Sequence, residues 1–208
     1  MAAVININFD SSLGGTGPIS GGGHGPIGYT GSTWNNVSVA GGGEGGTRGG
    51  TDFSDSQGNA TTIDLSIGTT GGYNTTNTNL ELLADYLYTK DVSQTFTVSG
   101  LEVGASYNLT FIGHGGSTIQ GPSITIGGDT QNIEPTDMGA TSYTEGENYV
   151  TFTVVADSSG EISGSYSPIG TNTFGGISAL QISSIPEPSV ALLGGLGGLL
   201  LLRRRRWA

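Results

Sequence analysis

"QTFTVSGLEVGASYNLTFIGH", residues 94–114, holds two alternating apolar and polar runs on either side of a glycine-bearing turn. Phe96 and Val98 are interleaved with Thr95 and Thr97, and Tyr107, Leu109 and Phe111 with Asn108 and Thr110. A period of two sends successive side chains to opposite faces of an extended chain, so each run buries one face and wets the other. Thr, Val, Phe and Tyr suit a pleated, half-buried surface. The stretch reads as two strands of a sheet with one face on a core.

The same signature recurs outward in both directions. Val4, Ile5, Ile7 and Phe9 surround Asn6 and Asn8 in a first strand at residues 3–9, and Ile63, Leu65 and Ile67 share one side of residues 61–67. Residues 33–39, 122–128, 148–157, 160–166 and 174–182 also read as strands. Gly- and Pro-rich stretches at 11–32 and 40–60 break regular structure between them. One segment carries a helical pattern: in "NLELLADYLYT" (79–89), Leu80, Leu83, Ala84 and Leu87 fall at i, i+3, i+4 and i+7, and Asn79 is placed to cap. The spacing predicts one short helix at the end of a sheet. The expected fold is all-β, an antiparallel β-sandwich spanning residues 1–183, followed by a distinct segment at 184–208.

Charge narrows the function classes. The chain has six basic residues, and four are Arg203, Arg204, Arg205 and Arg206. Residues 1–185 keep Arg48 and Lys90 against sixteen acids, a formal charge of −14. A body so charged repels polyanions, so nucleic acid is not an expected partner. Cysteine is absent, which excludes disulfides, thiolate metal sites and a Cys nucleophile. The N-terminus "MAAVININFD" has neither a basic nor an apolar leader region, so no signal peptide is read in this chain.

"LLADYLYT", "TFTVSGLEVGASYNLTFIGH" and "GGISALQI", in that order across residues 80–182, resemble bacterial surface proteins with a galactose-binding-like jelly-roll. The resemblance implies a jelly-roll sandwich, of a type that often carries a sugar or a structural calcium. No ligand-binding residue of that family maps onto a position here.

The C-terminus, "IPEPSVALLGGLGGLLLLRRRRWA" (185–208), is of another kind. Val190 to Leu202 is thirteen uncharged residues, including Val190, Leu192, Leu196, Leu199 and Leu202. As a helix it would reach about 20 Å, short of a hydrocarbon core of about 30 Å, with snorkelling arginines adding reach. The reading is a single C-terminal transmembrane helix, with Arg203–Arg206 as stop-transfer charges held on the cytoplasmic side. Pro-Glu-Pro, apolar run and basic end together resemble the PEP-CTERM sorting signal of Gram-negative bacteria. That resemblance implies that Pro186, Glu187 and Pro188 are recognised by an exosortase-type membrane peptidase. The protein would sit transiently in the inner membrane and then pass to the cell surface or the exterior. Members of that class normally begin with a signal peptide, and this chain departs from them there.

Candidate chemistry is sparse. His24 and His114 lie in glycine-rich loops without an adjacent nucleophile and acid, so neither builds a triad, and no catalytic residue is assigned. Asp52, Asp55, Gln57 and Asn59 offer oxygens at short spacing, as do Asp129, Glu134 and Asp137, but the calcium-loop spacing is not met. Turns with exposed carboxylates are the simpler reading, and a structural calcium is the sole cofactor considered. Tyr29, Trp34, Tyr73 and Tyr166 near loops are candidates to stack on sugar rings. The expectation is a non-enzymatic, exported structural protein of the cell surface or an exopolysaccharide matrix, with a carbohydrate-binding module as the alternative.

Overall fold

The computed structural model describes residues 4–11, 19, 24–39 and 45–186. The strands are β1 (Val4–Ser11), β2 (Asn35–Val39), β3 (Gly46–Gly50), β4 (Asp64–Thr69), β5 (Gly71–Asn74), β6 (Asp85–Lys90) and β7 (Gln94–Ser99). They continue with β8 (Ser106–Ile112), β9 (Pro122–Ile126), β10 (Asp129–Asn132), β11 (Tyr149–Val155), β12 (Ile162–Pro168), β13 (Phe174–Ile177) and β14 (Ala179–Ser184). The stretch at 94–114 supplies β7 and β8, and the connection between them crosses from one sheet to the other.

One sheet has the order β11-β8-β14-β1-β2 and the second β10-β9-β12-β7-β4-β3; a small third sheet is β13-β6-β5. Pairing is antiparallel except between β1 and β2, which run parallel with Phe9 opposite Val37. The alternation seen in sequence decides the core. Ile5, Ile7, Phe9, Leu109, Phe111, Leu180 and Ile182 of the first sheet and Leu65, Ile67, Phe96, Val98, Ile124, Ile126 and Ile162 of the second share one hydrophobic cluster. Phe111 sits 5.0 Å from Phe96 and 6.2 Å from Phe152, ring centre to ring centre, and so links the two sheets.

The first sheet is also covered on its other face. Asn6, Asn8 and Gln181 point there and are buried. Gln181 Nε2 donates to Asn6 Oδ1 at 2.8 Å and its Oε1 accepts from Ile27 N–H at 3.1 Å. Asn6 Nδ2 donates to Thr33 O and Asn8 Nδ2 to Asn36 Oδ1. These amides satisfy backbone groups of an irregular layer whose apolar part joins Ile19 and Trp34 to Leu82, Leu83, Ile112 and Ala179.

Two parts of the expected fold are overturned. Among the described residues there is no α-helix. Residues 79–89 form one 3₁₀ turn, Glu81–Leu83, and then enter β6. The helical spacing of Leu80, Leu83, Ala84 and Leu87 competes with the period-two pattern Tyr86-Leu87-Tyr88-Thr89. Two partner strands, β5 and β13, decide the contest by pairing with both edges of β6. Leu82 and Leu83 are then buried by the 3₁₀ turn and Leu87 by the strand.

The expected transmembrane helix is corrected as well: among the described residues no helix is long and apolar enough to cross a membrane. Glu187, Pro188, the span from Val190 through Leu192, Leu196 and Leu199 to Leu202, and Arg203–Arg206 lie outside the described residues. Of the sorting triplet, Pro186 alone is described. It follows Ile185, whose N–H donates to Ser106 O at 2.8 Å.

Four smaller differences are local. Strand β3 falls in the stretch 40–60 that reads as loop, and β5 and β10 lie where the sequence reading places no strand. The single strand expected over 174–182 breaks at Ser178 into β13 and β14, which belong to different sheets.

Candidate functional site

Strand β6 organises the most distinctive feature of the surface. Leu87 and Thr89 point inward and are fully buried. The alternate positions, Tyr86, Tyr88 and Lys90, therefore share the opposite face. Tyr73 on β5 pairs across with Tyr86, and Phe174 on β13 pairs with Lys90. Tyr88 has Gly71 on one side and Gly176 on the other, so no side chain from either neighbour crowds it in the pairing register. Large rings flanked by glycines make a trough. The result is a cleft of about 310 Å³ lined by Tyr73, Tyr86, Tyr88, Gln120, Phe174 and Gly176.

The aromatic geometry is defined. Tyr73 and Tyr86 have centroids 6.1 Å apart with planes inclined at 54°, while Tyr88 and Phe174 meet edge to face at 5.5 Å. Tyr73 is 52% exposed, unusual for a large ring. The Lys90 ammonium lies 5.7 Å from the Phe174 ring centre, within cation–π range. Burial, helped by Tyr73 and Tyr88 nearby, pushes the Tyr86 phenol far above its usual range, so it stays protonated at every physiological pH.

The loop between β8 and β9 closes one wall. Gln120 Oε1 accepts from Gly116 N–H at 2.7 Å, and Gln120 O accepts from Gly176 N–H at 2.9 Å. That arrangement holds the Gln120 side chain by its oxygen at the cleft wall. Gly115 and Gly176 touch so closely that a Cβ on Gly176 would come within 2.7 Å of Gly115 Cα. His114, at the root of this loop, is buried, and its Nδ1 lies 2.6 Å from Gly115 O. Its Nε2 is buried with no hydrogen-bond partner, and burial lowers its pKa. Such a histidine stays neutral and holds the loop.

The other sequence candidates separate clearly. Trp34 is buried and donates Nε1–H to Tyr29 Oη at 2.8 Å, with the two rings edge to face at 6.2 Å. Tyr166 is a core residue whose Oη donates to Gly68 O at 2.8 Å. Of the four proposed sugar-stacking rings, Tyr73 alone lines the cleft; Tyr86, Tyr88 and Phe174 were missed. His24 Nδ1 lies 3.8 Å from Glu81 Oε2.

The loop at 52–59 is organised from within. Asp55 Oδ1 accepts from Gln57 N–H and Asn59 N–H, both at 2.9 Å, and Oδ2 accepts from Asn59 Nδ2 at 2.9 Å. Asp52 takes a left-handed φ of 52°, and its N–H donates to Asp64 Oδ1. Asp137 Oδ1 likewise accepts from Gly139 N–H, Glu134 Oε1 from Asn132 Nδ2, and Asp129 Oδ2 from Gln131 Nε2 at 3.5 Å. Asp55 and Asp137 thus close turns, and Glu134 and Asp129 take neighbouring side-chain amides. Among the described residues no three acidic or histidine side chains converge as a metal site would require.

No family model matches the chain, and no curated protein matches it. Three solved structures show a loose similarity. A Bacillus subtilis protein designated YXIM aligns over 88% of this chain at 15% identity and a TM-score of 0.47. The plant receptor-like kinase FER aligns over 89% at 12% identity and 0.39. The extracellular domain of ANXUR2 from Arabidopsis thaliana aligns over 88% at 8% identity and 0.44. The match spans 40%, 43% and 42% of those three chains respectively. Likeness at this level carries nothing about activity.

Proposed function

We propose that the protein is an exported β-sandwich module that binds saccharide in the aromatic cleft on β5, β6 and β13. One observation carries this reading: four aromatic rings and one amide held by the loop converge on a single open cleft. Pyranose rings present apolar C–H faces to aromatic rings and hydroxyls to amides and phenols, and this lining offers both. Tyr73, exposed and poised beside Tyr86, is the stacking residue; Gln120 and the Tyr86 phenol are the hydroxyl partners.

Titration calorimetry with a panel of oligosaccharides tests the proposal. The native protein binds at least one member, and Tyr73→Ala weakens binding about tenfold, roughly 1.4 kcal/mol, with thermal stability unchanged. A native protein that binds no member rejects the reading.

Export and sorting are proposed through the tail, where Pro186, Glu187 and Pro188 would be the element read by an exosortase-type peptidase. Two prolines keep such a peptide extended, as docking in a protease groove requires. In the native host, Pro186→Ala with Pro188→Ala keeps the product cell-associated at full mass. Release at the native rate and size argues against sorting by this motif.

A further inference from the structure

The chemistry of the cleft narrows its ligand further, an inference that rests on the saccharide reading above. None of the six lining residues bears a charge at neutral pH, and the Tyr86 phenol is kept protonated. The surrounding body is strongly anionic: residues 1–185 carry a formal −14, with Arg48 and Lys90 as their two basic residues. Arg48 lies on β3, at the edge of a different sheet. Lys90 stands at the rim of the cleft, where its ammonium is engaged over the ring of Phe174, a lining residue.

An acidic sugar entering here would lose hydration of its carboxylate among uncharged lining groups, would gain a cation only by drawing Lys90 off the Phe174 ring, and would do so in a repelling field. A neutral sugar meets neither cost. The volume sets a second limit. About 310 Å³ is at the bottom of the range for small-molecule sites, roughly 300–1,000 Å³, so one or two rings fill it. We infer that the cleft takes the uncharged end of a neutral glycan, one or two pyranose rings long, and selects against glycans bearing uronate or sulfate at that end.

The test compares neutral glucose-, galactose- and mannose-based trisaccharides with equally long ones ending in glucuronate. It is run by calorimetry on the full chain, at low and high salt. The expected result is that a neutral member binds and its glucuronate counterpart binds about tenfold more weakly at low salt, the gap narrowing as salt screens the body charge. Lengthening the neutral ligand beyond two rings leaves affinity unchanged. Lys90→Gln leaves neutral-ligand affinity within about twofold, since the ammonium is not a ligand group. Equal or tighter binding of the glucuronate form, or loss of its binding on Lys90→Gln, overturns the inference while leaving the saccharide reading intact. Failure of every trisaccharide to bind defeats both together.

Discussion

Asp55 brings a carboxylate into a body already crowded with negative charge, and the loop around it is built to receive that charge. The Asn59 side-chain amide, then the backbone N–H groups of Asn59, Gln57 and Gly58, hold its pKa below the ordinary value of 3.8 despite burial. Because the folded value is depressed, the stabilisation is complete above pH 3.8 and is lost as pH falls through the folded pKa. Asp55→Ala should cost about 2–3 kcal/mol at neutral pH, as expected for hydrogen bonds to a charged acceptor. Denaturant titrations of native and variant protein should converge as the pH is lowered through the acid range. Sequence shows the oxygen-rich character of 52–59 but not its purpose, because whether donors or a cation satisfy a carboxylate depends on how the loop closes. Tyr73 is similar: its ring is legible as a candidate, its exposure is not.

Strand β6 illustrates what an element adds. Residues 79–90 carry two periodicities at once, and local sequence leans to the wrong one. A strand gains its hydrogen bonds from elsewhere in the chain, so the decision belongs to β5 and to β13, the latter over eighty residues later. Once β6 is a strand, Tyr86 and Tyr88 fall on one face without further instruction. Gly176 on β13 then matters for its lack of a side chain. An added Cβ would lie 2.7 Å from Gly115 Cα and 3.0 Å from the Tyr86 ring, so Gly176→Ala wedges the loop from the sheet. It should destabilise by about 1–3 kcal/mol, the usual cost of overpacking. Equilibrium unfolding measures this, and stability equal to native would show that the loop yields freely.

At the scale of the molecule, the Phe96–Phe111–Phe152 contacts connect two sheets between which the chain crosses repeatedly. Phe111 is fully buried between them. Phe111→Ala should cost about 3–5 kcal/mol. The loss should appear as one shifted transition by both circular dichroism and fluorescence, since the sheets share one core. Two separated transitions would mean that the sheets unfold independently.

Alternation of apolar and polar residues, local and readable, determined by itself that this chain is β-rich and which side chains face the core; the anionic charge and the lack of cysteine were equally plain. Tertiary structure alone decided the cleft, because Tyr73, Tyr86, Gln120 and Phe174 span a hundred residues and meet through strand register. Register is set by nonlocal pairing and packing, and no window of sequence contains both partners.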